Sequence, residues 1–221
     1  MNIFITGGTG YLGRHLIPEL TARGHVVRAL VRPGSESKLP SHCEAIPGHA
    51  LEKDSFARRL PPSDTFVQLV GVAHPGPAKA KQFREIDLVS VRASIAAAAE
   101  NGLRHFVYVS VAQPAPMMQE YQAVRAEGEA LLRASGLQAT VLRPCYILGP
   151  GHWWPYLLLP GYWICELLPS TRESARRLGL VTLAQMIAAL VEAVEHPPEK
   201  VRVVEVPEIR RARLARGARG G

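Results

Sequence analysis

Ile3-Phe4-Ile5-Thr6-Gly7-Gly8-Thr9-Gly10-Tyr11-Leu12-Gly13 is the stretch of the 221-residue chain that decides its fold. Ile3–Thr6 is a short apolar run of strand length. Four glycines follow, and then Leu12, Leu16, Ile17 and Leu20 recur at helical spacing until Gly24. Gly8, Gly10 and Gly13 satisfy G-x-G-x-x-G, and Gly7, Gly10 and Gly13 satisfy G-x-x-G-x-x-G. Between a strand and a helix such glycines permit a tight turn, close approach of backbone to a pyrophosphate, and close packing of helix on strand. The helix start adds unpaired N–H groups and the positive end of its dipole. No Gly-Lys-Ser/Thr follows, which excludes a P-loop.

Outward from this unit the same rhythm continues. Strand-like runs lie at Val26–Val31, Phe66–Val70, Phe106–Ser110 and Thr140–Arg143, with a weaker one near Glu44–Ile46. They are apolar with little alternation, as strands buried on both faces should be. Helical stretches separate them: an Ala-rich one over about 80–100 and another over 119–135. This order predicts an α/β fold, a doubly wound parallel sheet with helices on both faces. After Pro144 the rhythm breaks. Residues 150–169 carry all three tryptophans, but Pro155, Pro160 and Pro169 interrupt them, so no membrane-spanning helix is expected. Thr182 and Gln185 form a capping-box pattern before Met186, Ile187, Leu190, Val191 and Val194, and Val201–Val206 reads as a last strand. The expected organisation is one domain over 1–206, with a C-terminal lobe at about 150–195 packed on it.

Composition sets further bounds. Hydrophobic residues make up 47% and charged residues 20%, which is globular composition. Of the net charge of +7, four charges fall in residues 207–221, where Arg210, Arg211, Arg213, Arg216 and Arg219 face only Glu208. The remainder is too weakly basic for a nucleic-acid surface, and 207–221 reads as a flexible basic tail. Cys43, Cys145 and Cys165 have neither disulfide nor metal spacing. No metal site is expected, and a cytoplasmic location is. The opening MNIFITGG lacks a basic n-region and is not expected to act as a secretory signal.

Four stretches carry a resemblance: TGGTGYLG (6–13), FVYVS (106–110), YQAVRAEGEALLRASGL (121–137) and LRP (142–144). Together they resemble the short-chain dehydrogenase/reductase superfamily, and within it the atypical NAD(P)H-binding branch near the complex I subunit-like and NmrA-like families. The resemblance implies a Rossmann fold with a substrate lobe built from C-terminal segments. It assigns cofactor contact to Gly7, Gly8, Thr9, Gly10, Tyr11, Leu12 and Gly13, to Val70, Gly71 and Val72 after the fourth strand, and to Pro144. At the end of the second strand an acid would select NAD by accepting from the ribose hydroxyls. This chain has Arg32 there, with Ser35, Ser37 and Lys38 close behind. A guanidinium fork suits a 2′-phosphate, so NADP(H) is preferred over NAD(H). His49 stands where the family commonly has an Asp near the adenine; a ring touching adenine and a surface-loop histidine are both open readings.

The same resemblance implies a Ser, a Tyr and a Lys four residues after the Tyr as the proton-transfer set. This chain offers Ser110, Tyr121 and Arg125. Tyr121 and Arg125 share a helix face by spacing. Arginine favours a phenolate and can bond a ribose, yet it does not exchange a proton near neutrality. Two functions therefore stay open. One is an NADP(H)-dependent oxidoreductase acting on a small apolar carbonyl or quinone-like substrate. The other is a non-catalytic NADP(H)-binding sensor or assembly protein. No G-x-S-x-G supports a hydrolase. The Trp-rich segment 152–168 reads as lobe core, as the wall of an apolar substrate pocket, or as a contact with a second copy of the chain or a membrane surface.

Overall fold

The computed structural model describes residues 1–150 and 172–214. A seven-stranded sheet is built from β1 (Asn2–Thr6), β2 (Val26–Val31), β3 (Cys43–Pro47), β4 (Thr65–Gln68), β5 (His105–Val109), β6 (Gln138–Arg143) and β9 (Val201–Glu205). Its order is β3-β2-β1-β4-β5-β6-β9, with every pair parallel. The chain thus reverses direction across the sheet between β1 and β4, the switch point of a Rossmann fold. The fold class matches the sequence expectation, and the weak run near Glu44–Ile46 is the edge strand β3.

Alternate residues of each strand feed two cores. Ile3, Ile5, Val67, Val107 and Leu142 pack on one face with α1 (Tyr11–Ala22) and α6 (Leu183–Glu195). Phe4, Phe66, Phe106, Tyr108 and Val141 pack on the other with α3 (Val89–Glu100) and α4 (Gln119–Ala134). Phe66 and Phe106 stack at 5.1 Å between ring centroids. Each such buried ring contributes about 1.5–3 kcal/mol of transfer free energy. Thr182 caps α6 as its sequence pattern predicts: its side chain accepts from the Gln185 N–H, and the Gln185 side chain accepts from the Thr182 N–H.

Three features depart from the sequence expectation. The helix read as continuous over 80–100 begins as a short turn, α2 (Ala80–Gln82), widens into a π turn over Phe83–Leu88, and only then becomes α3. The π turn carries Phe83, Asp87 and Leu88 into the interior. A second, two-stranded parallel sheet pairs β7 (Tyr146–Leu148) with β8 (Leu180–Thr182), bracketing α5 (Arg172–Arg177) in the chain. The tail expected to be flexible from 207 is packed as far as 214. There α7 (Val206–Ile209) buries Ile209 completely, and the Arg210 Nε donates to the Leu180 carbonyl at 2.9 Å. Charge had hidden one apolar anchor. The Trp-rich segment 152–168 lies outside the described residues, as do 215–221.

Candidate functional site

Because every strand of the main sheet is parallel, the residues singled out in the sequence emerge at one edge. Gly7 follows β1, Arg32 follows β2, Val70–Val72 follow β4, Ser110 follows β5 and Pro144 follows β6. The turn after β1 fits a dinucleotide pyrophosphate. Gly7 has φ of +80°, and a Cβ on it would lie 2.9 Å from the Leu69 carbonyl carbon. A Cβ on Gly13 would lie 2.5 Å from the carbonyl oxygens of both Gly7 and Gly8, so α1 seats directly on the loop. Gly10 at the N-cap is exposed, no side chain caps the helix, and no acid sits in its first turn. The helix start is left open to an anion.

Around this loop the other residues assigned to the cofactor differ in what they can offer. Arg32 is exposed and pairs with no acid among the described residues; its carbonyl accepts from the Ser35 N–H at 3.0 Å in a turn. Val70 and Val72 are half-buried, and the Val70 N–H donates to the Gln68 Oε1 at 3.3 Å. His49 is half-buried in its own turn, where its Nδ1 accepts from the Leu51 N–H at 3.4 Å, much as a short acid would. Pro144 is buried, with its carbonyl accepting from the Ala112 N–H at 2.8 Å.

The surroundings of Arg125 are unlike those expected. Its guanidinium is buried, forms an ion pair through Nη2 with the buried Asp87, and donates through Nη1 to the Val109 carbonyl at 3.0 Å. Its Cζ lies 5.1 Å from the Tyr121 ring centroid and 5.7 Å from that of Tyr108. Burial alone would lower the Arg125 pKa, but Tyr121, Tyr108 and Asp87 more than offset it and raise it, so the cation is permanent. Burial pushes the Asp87 carboxyl up, while Arg125 and the Val72 N–H (3.0 Å) pull it down. Gly71 makes room for this pair: a Cβ there would lie 2.5 Å from the Arg125 Nη2. The close approach that Gly71 permits is to arginine. Both terminal nitrogens of Arg125 are thus bound inside the protein, not presented to a ribose.

Tyr121 remains half-buried against Phe83 and Arg125, and its hydroxyl makes no hydrogen bond among the described residues. Ser110 is buried and donates its hydroxyl proton to the Glu129 Oε1 at 2.7 Å. Glu129 also accepts from Gln113, Arg133 and, through both its oxygens, Arg143 at 2.9 and 2.6 Å. Burial pushes this carboxyl up, but the Arg143 and Ser110 hydrogen bonds outweigh burial and hold it below the usual glutamate range. Asp87 and Glu129 were missed in the sequence because a charged residue on a helix reads as solvated. Glu129 follows Arg125 by four residues, one turn further along the same face, and that spacing was the available signal.

The chain matches the NAD(P)H-binding family over residues 7–150. It belongs to that family. Among curated proteins it is 27% identical over 95% of its length to a ceramide reductase of Caulobacter vibrioides, covering 65% of that protein. It is 28% identical over 67% of its length to the 4-hydroxy-2-methyl-3-oxo-4-farnesyl-3,4-dihydroquinoline-1-oxide ketoreductase of Stigmatella aurantiaca, covering 51% of it. The chain therefore spans less than two thirds of these relatives. Among solved structures it resembles an NAD-bound short-chain dehydrogenase/reductase superfamily protein from Agrobacterium tumefaciens, with a TM-score of 0.67. The identity there is 16%, over 92% of this chain and 77% of that one, and the likeness is one of fold. The chain is thus a Rossmann-fold member of the NAD(P)H-binding family, and it binds a dinucleotide.

Proposed function

We propose that this chain is an NADP(H)-dependent reductase of a carbonyl group on an apolar, lipid-like substrate. The observation that carries the reading is Tyr121: its hydroxyl is uncommitted on the edge that holds the glycine loop, over a buried permanent cation. The glycine loop and α1 would hold the pyrophosphate, and Arg32 with Ser35 the 2′-phosphate. When bound, the cofactor supplies the hydride. The chain supplies the proton, from the Tyr121 phenol to the carbonyl oxygen. Arg125 contributes as a fixed charge that lowers the cost of the phenolate left behind. It does not relay a proton, so Tyr121 recovers its own from solvent. Two relatives whose names specify a ceramide and a farnesyl-bearing quinoline support the substrate class.

The test is NADPH consumption over a panel of long-chain ketones and quinones, by the wild type and Tyr121→Phe. Turnover that Tyr121→Phe abolishes, with NADPH binding retained, supports the reading. The second reading, a cofactor-binding sensor, draws on the internal commitment of Arg125 and predicts no turnover across the panel.

A further inference from the structure

The acid that the π turn carries inward has no part in the proton transfer described above. Asp87 is 1% exposed, and both its oxygens are bound. Its Oδ2 accepts from the Val72 N–H at 3.0 Å, and its Oδ1 pairs with the Arg125 Nη2. The first bond ties the carboxylate to the loop after β4. The second aims it at the guanidinium whose Cζ lies 5.1 Å from the Tyr121 ring centroid. Stability alone gives no reason for such a pair, since well-packed apolar side chains in place of a buried ion pair are often as stable or more so. A single turn of π helix also recurs at functional sites. The charged and titratable groups that face Arg125 are Asp87 from the π turn, Tyr121 from its own helix and Tyr108 from β5. Glu120, beside Tyr121 in the chain, is paired with Arg84 at 2.5 Å, and Glu129, one turn beyond Arg125, is held by Arg133 and Arg143. Asp87 is therefore the anion that offsets Arg125 among the described residues.

We propose that Asp87 is a positioning residue for the reduction: through Arg125 it sets how much positive charge the Tyr121 phenol meets. The proposal rests on the reductase reading and deepens it, because it explains why the proton donor keeps its proton until it is needed. A bare buried guanidinium at this distance favours the phenolate strongly, and would leave Tyr121 with no proton to give as pH rises. With Asp87 ionised beside it the pair is close to neutral, and the phenol meets the weaker field of a dipole. The proton then leaves when negative charge develops on the carbonyl oxygen. The bond from the Val72 N–H keeps the carboxylate from turning away from Arg125.

Asp87→Asn keeps the shape of the side chain and removes its charge. The test follows the phenol itself: the near-ultraviolet tyrosinate absorbance of the full chain against pH, minus that of the same chain carrying Tyr121→Phe. In Asp87→Asn the midpoint of this difference is expected about one pH unit below that of the wild type. The alkaline limb of kcat for NADPH-dependent ketone reduction, where the donor has lost its proton, should move by the same amount in the same direction. Asp87→Glu keeps the charge on a longer arm and reports even where Asp87→Asn does not fold. Its kcat should fall about tenfold from misplacement, with its midpoint within about 0.3 pH unit of wild type. A merely structural role for Asp87 moves neither midpoint. An unmoved midpoint in Asp87→Asn, a displaced one in Asp87→Glu, or wild-type kcat in Asp87→Glu would each overturn the proposal. Failure of the reductase reading shows separately, as absent turnover in the wild type or turnover that survives Tyr121→Phe.

Discussion

Replacing Gly71 by alanine probes the arrangement that most separates this chain from the family pattern. The new methyl group would sit 2.5 Å from the Arg125 Nη2 and 3.1 Å from the Asp87 Oδ1. An ordinary contact needs about 1 Å more than the first of these. Arg125 cannot retreat by that distance and keep both its ion pair and its 3.0 Å bond to the Val109 carbonyl. Overpacking of this kind costs about 1–3 kcal/mol, and a fully broken buried pair about 3–5 kcal/mol. A loss of about 2–4 kcal/mol is expected, because the pair shifts without losing its partner altogether. Urea unfolding followed by circular dichroism reads this as a midpoint lowered by about 1–2 M. Adding Arg125→Lys, whose slimmer ammonium leaves room for the methyl, should recover part of the loss. A Gly71→Ala midpoint within about 0.2 M of wild type would refute the close packing of Gly71 on a committed arginine.

Other outcomes follow from the buried polar groups. His105 lies between the Thr65 and Thr140 hydroxyls, and burial pushes its imidazole down to about 4. Its contribution is complete above about pH 6.5 and is lost as pH falls towards 4, by up to about 3 kcal/mol. His105→Gln should flatten that part of a stability–pH profile, and an unchanged slope would contradict the assignment. Glu129, held low chiefly by Arg143, contributes above the ordinary glutamate pKa and loses its contribution as pH falls through its own lower value. Glu129→Gln should cost about 3 kcal/mol at pH 7 by leaving Arg133 without its charge partner and Arg143 with only the more distant Glu205, at 3.5 Å, measured by thermal or urea unfolding. Gly13→Ala should abolish NADPH binding, because its methyl would strike the backbone oxygens of Gly7 and Gly8. Retained binding would show that the loop is not the pyrophosphate seat.

The sheet was legible because its physics is repetitive. Continuous apolar runs such as Phe106–Val109 mark strands buried on both faces, and the glycines after Thr6 fix where the first of them ends. The elements missed were those that break this pattern. β7 and β8 are three residues each, too short for periodicity to register. Ile209 anchors a segment that arginines made look solvated. In the candidate site, the tight glycine turn between β1 and α1 was legible because its chemistry is local. The fate of Arg125 was not, since it is set by Asp87, 38 residues away and turned inward by the π turn. A helical charge shows its burial only when its partner is in place.

The central claim is that a dinucleotide seats on the glycine loop with its 2′-phosphate on Arg32, and comparative fluorescence titration of NADPH and NADH at fixed salt tests it most directly. Wild type is expected to bind NADPH at least tenfold tighter than NADH. Arg32→Ala is expected to lose roughly ten- to hundredfold in NADPH affinity, the worth of a charge-assisted contact, with NADH affinity changed by less than about twofold. Equal affinities in the wild type, or an NADPH preference that survives Arg32→Ala, would contradict the account.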